Sequence, residues 1–101
     1  MLKKDLSKMA VYKLSDDASE KLSSIYEYSI LNFGEQKADE YYLSIHKTLE
    51  LLADEPKLGR KFYEFRRHEH GYHIFFYKIT EYGILVLHIL HQQEDIEEKL
   101  Q

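Results

Sequence analysis

The fold is decided by one stretch: Gly71-Tyr72-His73-Ile74-Phe75-Phe76-Tyr77-Lys78-Ile79-Thr80-Glu81-Tyr82-Gly83-Ile84-Leu85-Val86-Leu87-His88-Ile89-Leu90-His91. Residues 72–80 are rich in aromatic and β-branched side chains, which fit a pleated, packed surface. Residues 84–91 are almost continuously apolar, as in a central strand covered on both faces. Glu81-Tyr82-Gly83 between them is short enough for a tight hairpin connection. Two adjacent antiparallel strands at the centre of a sheet follow.

Upstream of the hairpin, residues 61–69 read as a weak, charged strand at a sheet edge. Pro56 and Gly59 stop whatever precedes that strand and turn the chain. Residues 38–53 carry Ala38, Tyr41, Tyr42, Ile45, Leu49, Leu52 and Ala53 at helical spacing, which predicts a helix with one apolar stripe. Another helix precedes it, with Ala18, Leu22, Ile25, Tyr26, Ser29 and Phe33 as its packing stripe. Ser15 is placed as the N-cap of this helix, Asp16 and Asp17 sit at the positive end of its dipole, and Gly34 closes it in a left-handed cap. So short a connection between the helices makes an antiparallel hairpin. Residues 10–14 read as a first short strand, packing through Val11, Tyr12 and Leu14. The expected order is β-α-α-β-β-β in the α+β class: a mainly antiparallel four-stranded sheet with the helical hairpin on one face.

Chain length permits one domain and no more: 101 residues bury roughly 65% of their unfolded surface. Residues 1–9 read as an extension ahead of the domain, with Met9 a second possible start, and residues 92–101 as a polar, acidic tail with a short last helix. No apolar run approaches a membrane span, and the start lacks the apolar core of a signal peptide. There is no Cys, which excludes disulfides and thiolate chemistry and fits a reducing cytoplasm. The net charge of −4, from 14 basic and 18 acidic residues, argues against nucleic acid as the main ligand, because phosphate binding draws its affinity from a basic excess.

Five segments, in order, resemble the ParE branch of the RelE/ParE toxin superfamily. Leu14-Ser15-Asp16-Asp17-Ala18 resembles its first strand-to-helix junction, and Phe33-Gly34 followed by Ala38 and Tyr41 its helix–helix turn. Leu52-Ala53-Asp54-Glu55-Pro56-Lys57-Leu58-Gly59-Arg60 is similar to its L-A-x-x-P-x-x-G-R segment. Gly71-Tyr72-His73-Ile74-Phe75-Phe76-Tyr77 resembles its G-x-H-x-I-F-Y strand, and Ile89-Leu90-His91-Gln92-Gln93-Glu94-Asp95 its closing I-L-H-x-x-x-D. Glu94 departs from the pattern, since many members carry an apolar residue there, often Met. The resemblance implies the toxin of a type II toxin–antitoxin system. Such toxins inhibit DNA gyrase by protein–protein binding, block replication and are neutralised by a ParD-like antitoxin. It implies no cofactor.

The same superfamily supplies a rival. RelE-like relatives cleave mRNA on the ribosome with side chains gathered on the sheet, and cleavage needs a base, an acid and a cation for the phosphate. Arg67, His73, Tyr77 and His91 are the candidates here, His73 and Tyr77 sharing one face of a strand. Each also has a structural reading. His73 stands where ribonuclease relatives more often place the Arg that clamps phosphate. Tyr77 reads as a core ring with its hydroxyl at the edge, and His91 as a tie for the tail. A third reading keeps the fold without toxicity, as a relic that only binds its antitoxin. His68 and His70 share one side of a strand, but a zinc site needs three or four ligands and surface histidines explain the pair; no metal is expected. For the partner surface, the charged edge strand offers unpaired backbone to an added segment. Phe62, Phe65, Arg66 and Arg67 on that strand, with Asp95 in the tail, are the expected contacts.

Overall fold

The computed structural model describes residues 10–94 and 96–100, so the expectations for residues 1–9 and for Asp95 lie outside the described residues. The chain runs β1 (Val11–Leu14), α1 (Asp16–Phe33), α2 (Glu35–Asp54), a 3₁₀ turn (Pro56–Leu58), β2 (Arg60–Phe62), β3 (Phe65–His70), β4 (His73–Thr80), β5 (Gly83–His91) and α3 (Ile96–Lys99). The α+β class and the helical hairpin are as expected. The sheet has five strands, not four, in the order β1-β5-β4-β3-β2. The segment expected as one edge strand breaks at Tyr63, whose φ of 53° turns the chain so that β2 folds back on β3 with Phe62 opposite Phe65. Nothing in the pattern Phe62-Tyr63-Glu64-Phe65 carries the Gly or Asn that normally marks such a turn.

β1 lies parallel to β5, with Val11 opposite Gly83 and Leu14 opposite Val86. The remaining pairs are antiparallel. Thr80 pairs with Gly83 around the two-residue turn Glu81-Tyr82. Ser15 caps α1 as expected: its Oγ accepts from the Ala18 amide at 3.0 Å and donates to the Leu87 carbonyl at 2.7 Å. A cap of this kind contributes about 1 kcal/mol. Leu87 has no opposite number on β4, where the register jumps from Phe76–His88 to Tyr77–Val86. The bulge of β5 is thus the place where α1 is pinned to the sheet.

The sheet separates two apolar clusters. The larger packs Ala18, Leu22 and Ile25 of α1 and Ile45, Leu49, Leu52 and Ala53 of α2 against Phe75, Tyr77, Ile84, Val86 and Ile89. On the opposite face Ile74, Phe76 and Leu90 are covered by Phe62, Ile96 and Leu100, so α3 shields part of the sheet that the hairpin does not reach. Phe33, expected on the packing stripe of α1, is 58% exposed. The core contacts of α1 stop at Ile25 and those of α2 begin at Tyr41, so the tip of the hairpin overhangs the sheet. Among the described residues, no helix is long and apolar enough to cross a membrane.

Candidate functional site

The four residues considered for phosphodiester cleavage are brought onto neighbouring strands, but each is committed elsewhere. Tyr77 is fully buried. Its hydroxyl donates to the Pro56 carbonyl at 2.6 Å and accepts from the Gly59 amide at 3.0 Å. Burial pushes its pKa above the ordinary phenol value. Gly59 is fitted to that hydroxyl: a Cβ there would overlap it and lie 2.9 Å from the Arg67 carbonyl oxygen. The segment Pro56-Lys57-Leu58-Gly59 therefore binds to the sheet through one buried tyrosine, at some 20 residues' distance along the chain.

His73 sits on the helix side of β4, only 8% exposed. Its Nδ1 lies 2.7 Å from the Tyr41 hydroxyl, which also accepts from the Tyr72 amide at 3.2 Å. Burial, then the neighbouring His91 and Lys21, push its pKa down to about 4. At neutral pH it is an uncharged imidazole and supplies no cation for a phosphate. His91 faces it across the β4–β5 pair, with ring centroids 5.4 Å apart. Its Nδ1 accepts from the Gln93 amide at 3.0 Å, and its own amide donates to Glu94 Oε1 at 2.9 Å. His91 thus ties down the tail, as its structural reading had it.

Glu94 completes that tie. It takes the Lys21 ammonium at 2.7 Å, joining the tail to α1. Burial alone would raise its pKa, yet hydrogen bonds from Lys21 and the His91 amide, with the charges of Lys21 and Lys99, hold it below the usual carboxylate value. The departure from the family pattern at position 94 therefore has a structural use in this chain.

Arg67 lies on the far face of the sheet from His73. Its guanidinium stacks over Phe62 at 5.0 Å and Phe76 at 5.7 Å and reaches Glu69 at 3.0 Å. It is a packing residue of that face, with its charge already met. The histidine pair of β3 is likewise absorbed in part: His70 bonds Ser44 at 2.9 Å and Thr48 at 3.0 Å beneath α2, so it is not a surface residue. No group of three or more His, Cys, Asp or Glu with metal-binding geometry occurs among the described residues.

The expected partner surface looks different. β2 pairs only with Phe65, Arg66 and Arg67, which leaves the outer edge of His68–His70 without a strand beside it among the described residues. Phe62 is half-buried in the smaller cluster and Phe65 lies under the Lys78 ammonium, 5.8 Å from its ring centre. Arg66 is anchored on the Gly59 carbonyl at 2.7 Å. Around them opens a shallow groove of about 520 Å³ whose lining sets Lys61, Arg66 and Lys78 against the single acidic Glu64, with Tyr63 and Phe65 among them. Between Lys57 and Lys78 the sequence places six basic and two acidic residues, so a chain of net charge −4 carries a cationic sheet edge. Lys61, Tyr63 and Lys78 belong to this groove and were not singled out from sequence. The signal was the local basic excess, hidden by the acidic total.

A family model described as "ParE toxin of type II toxin-antitoxin system, parDE" matches residues 12–96. The chain is 30% identical over 88 residues to Toxin ParE1 of Caulobacter vibrioides, covering 83% of this chain and 91% of that one. It is 29% identical over 94 residues to Toxin ParE1 of Mycobacterium tuberculosis, covering 88% and 96%. Its fold matches a solved chain titled "Chromosomal ParDE TA system from P. aeruginosa" with a TM-score of 0.69 at 19% identity, over 83% of this chain and 97% of that one. The five sequence segments, the sheet and hairpin they build, and these matches agree: the chain belongs to the ParE toxin family of type II toxin–antitoxin systems.

Proposed function

We propose that this chain arrests growth in the cytoplasm by binding DNA gyrase and blocking replication, and that a ParD-like antitoxin neutralises it at the β2–β3 edge. The reading rests on family membership for the target and on the sheet for the manner of action. The observation that carries the second part is the state of His73 and Tyr77. One is a buried imidazole neutral at physiological pH, and the other is a phenol with its hydroxyl bonded to two backbone groups. General acid–base cleavage asks for groups free to exchange protons with a substrate, and binding asks only for surface. An antitoxin segment at the cationic edge would add backbone hydrogen bonds beside His68–His70 and set acidic side chains against Lys61, Arg66 and Lys78.

The test is induction of the chain in cells without its antitoxin, alongside His73→Ala and His91→Ala. Arrest with a DNA-damage response that persists in both variants supports gyrase inhibition. Arrest without that response, lost in both variants while they remain folded, transfers the chain to the ribonuclease reading. No arrest in any of the three identifies a non-toxic antitoxin-binding protein.

A further inference from the structure

β3 does not follow β4 to its end. Arg66 lies opposite Tyr77, and no residue of β3 is paired with Lys78, Ile79 or Thr80, so that stretch of β4 is an open strand edge among the described residues. Thr80 and Gly83 pair across the two-residue turn to β5. In an antiparallel pair of this kind both residues direct their backbone groups at each other, and the next residue along directs its own the opposite way. Ile79 therefore turns its amide and carbonyl into the gap. Two grooves meet there, because Ile79 lines both. One, of about 490 Å³, has Pro56, Leu58 and Ile79 in its lining, with Leu58 50% and Ile79 47% exposed. The other is the cationic groove of Lys61, Arg66 and Lys78.

We propose that this gap receives an extended acidic segment of a partner, which pairs with β4 at Ile79. Backbone and charge together decide the occupant. Pairing with an open edge needs free peptide groups, which nucleic acid lacks and a helix has already bonded along its length. The acidic helices of a second copy are excluded on the same ground. An acidic segment is repelled by the helical layer, whose residues 16–55 hold ten acidic and three basic side chains, and is drawn to this end of the sheet. Side-chain alternation fixes its pattern. The residue bonded to Ile79 sets its side chain beside Ile79 and Leu58, and is apolar. The residues before and after it point to the other face, where Lys78 lies over Phe65, and are acidic. That the segment is the antitoxin's rests on the antitoxin's use of the cationic edge.

The test titrates the whole ¹⁵N-labelled chain with a blocked heptapeptide that has one central Leu among Glu residues. A second peptide is N-methylated at that Leu, which keeps charge and side chains but removes the pairing amide. Saturable shifts at residues 58, 64–66 and 78–80, slowed exchange of the Ile79 amide and at least about tenfold weaker binding of the methylated peptide are expected. Leu58→Ser, at a half-exposed position and with its fold checked by circular dichroism, should weaken the first peptide likewise. Equal binding of the two peptides reduces the gap to charge attraction and overturns the proposal. So does an Ile79 amide already protected in the free chain, or a dimer in sedimentation that Leu58→Ser abolishes, or tighter binding of a single-stranded oligonucleotide at the same residues. In the complex with the antitoxin, Ile79 should be protected as well. An antitoxin weakened by Lys61→Glu with Lys78→Glu, while Ile79 still exchanges freely in the complex, keeps the edge and overturns the gap. An antitoxin indifferent to that pair of substitutions overturns the assignment of the segment to the antitoxin, and the pairing then stands or falls by the peptides.

Discussion

Lys21 and Glu94 meet at 2.7 Å, a contact between residues 73 positions apart that joins the first helix to the start of the tail. Because Glu94 also accepts from the His91 amide, one carboxylate closes the end of β5 and orients the chain toward α3. Glu94→Ala should release that segment. Amide exchange at residues 97–100 is expected to rise in the variant at neutral pH, with the exchange of β4 and β5 unchanged. Equal protection in both proteins would show that Ile96 and Leu100 hold the tail by packing alone.

The same carboxylate gives the tail a pH dependence with a fixed sign. Its pKa in the folded protein is depressed, so its contribution is present above the unfolded value and lost as pH falls through the folded one. In the wild type, protection of residues 97–100 should therefore decline below about pH 4.5. Glu94→Gln should show no such decline.

His73 acts on the whole domain and over another pH window. Its folded pKa is about 4, against 6.5 ordinarily. Above pH 6.5 both states are neutral and nothing is gained or lost. Between 6.5 and 4 the unfolded chain takes up a proton that the folded one refuses, so stability falls as pH falls. Urea midpoints measured across that range should slope downward toward acid, less steeply in His73→Phe. His70 is also lowered by burial, and it keeps a residual slope of the same sign in the variant.

Tyr77→Phe removes one hydroxyl and orphans a buried amide and carbonyl, at a cost of about 1–3 kcal/mol. A lower urea midpoint with unchanged slope is expected, while toxicity survives at temperatures where the variant is folded. Loss of toxicity in a variant as stable as the wild type would instead give the phenol a chemical role. Gly59→Ala should destabilise through the same contact, because its methyl group needs the space that the hydroxyl fills.

Lys61→Glu combined with Lys78→Glu tests the edge. Neither position is buried, so stability should change little. Antitoxin affinity, measured by calorimetry, should fall about tenfold or more, and the salt dependence of binding should flatten. Undiminished affinity would move the antitoxin to another face.

Which parts were readable from residues follows from how local their causes are. Ser15 with two aspartates, and Gly34 after an apolar stripe, report their own caps, because capping is settled within four residues. The β4–β5 hairpin was readable because its pattern and its turn agree. The β2–β3 turn was not, since Tyr63 takes a positive φ without a residue that favours one. The parallel pairing of β1 with β5 depends on a contact some 70 residues away, which no local pattern encodes. Phe33 was misplaced for a related reason: helical spacing shows which face is apolar, not how far the sheet beneath it extends. At the site, His91 and Tyr77 were legible as structural residues, whereas Arg67 was offered as a surface contact and proves to be stacked between strand aromatics. The cationic groove escaped notice because net charge averages over both poles of the molecule.

Supercoiling by purified gyrase in the presence of this chain at stoichiometric amounts tests the central claim most directly. The expected result is loss of supercoiling with accumulation of broken DNA, relieved by adding the antitoxin and undiminished in a folded His73→Ala variant. Full supercoiling in the presence of an excess of folded chain would contradict it.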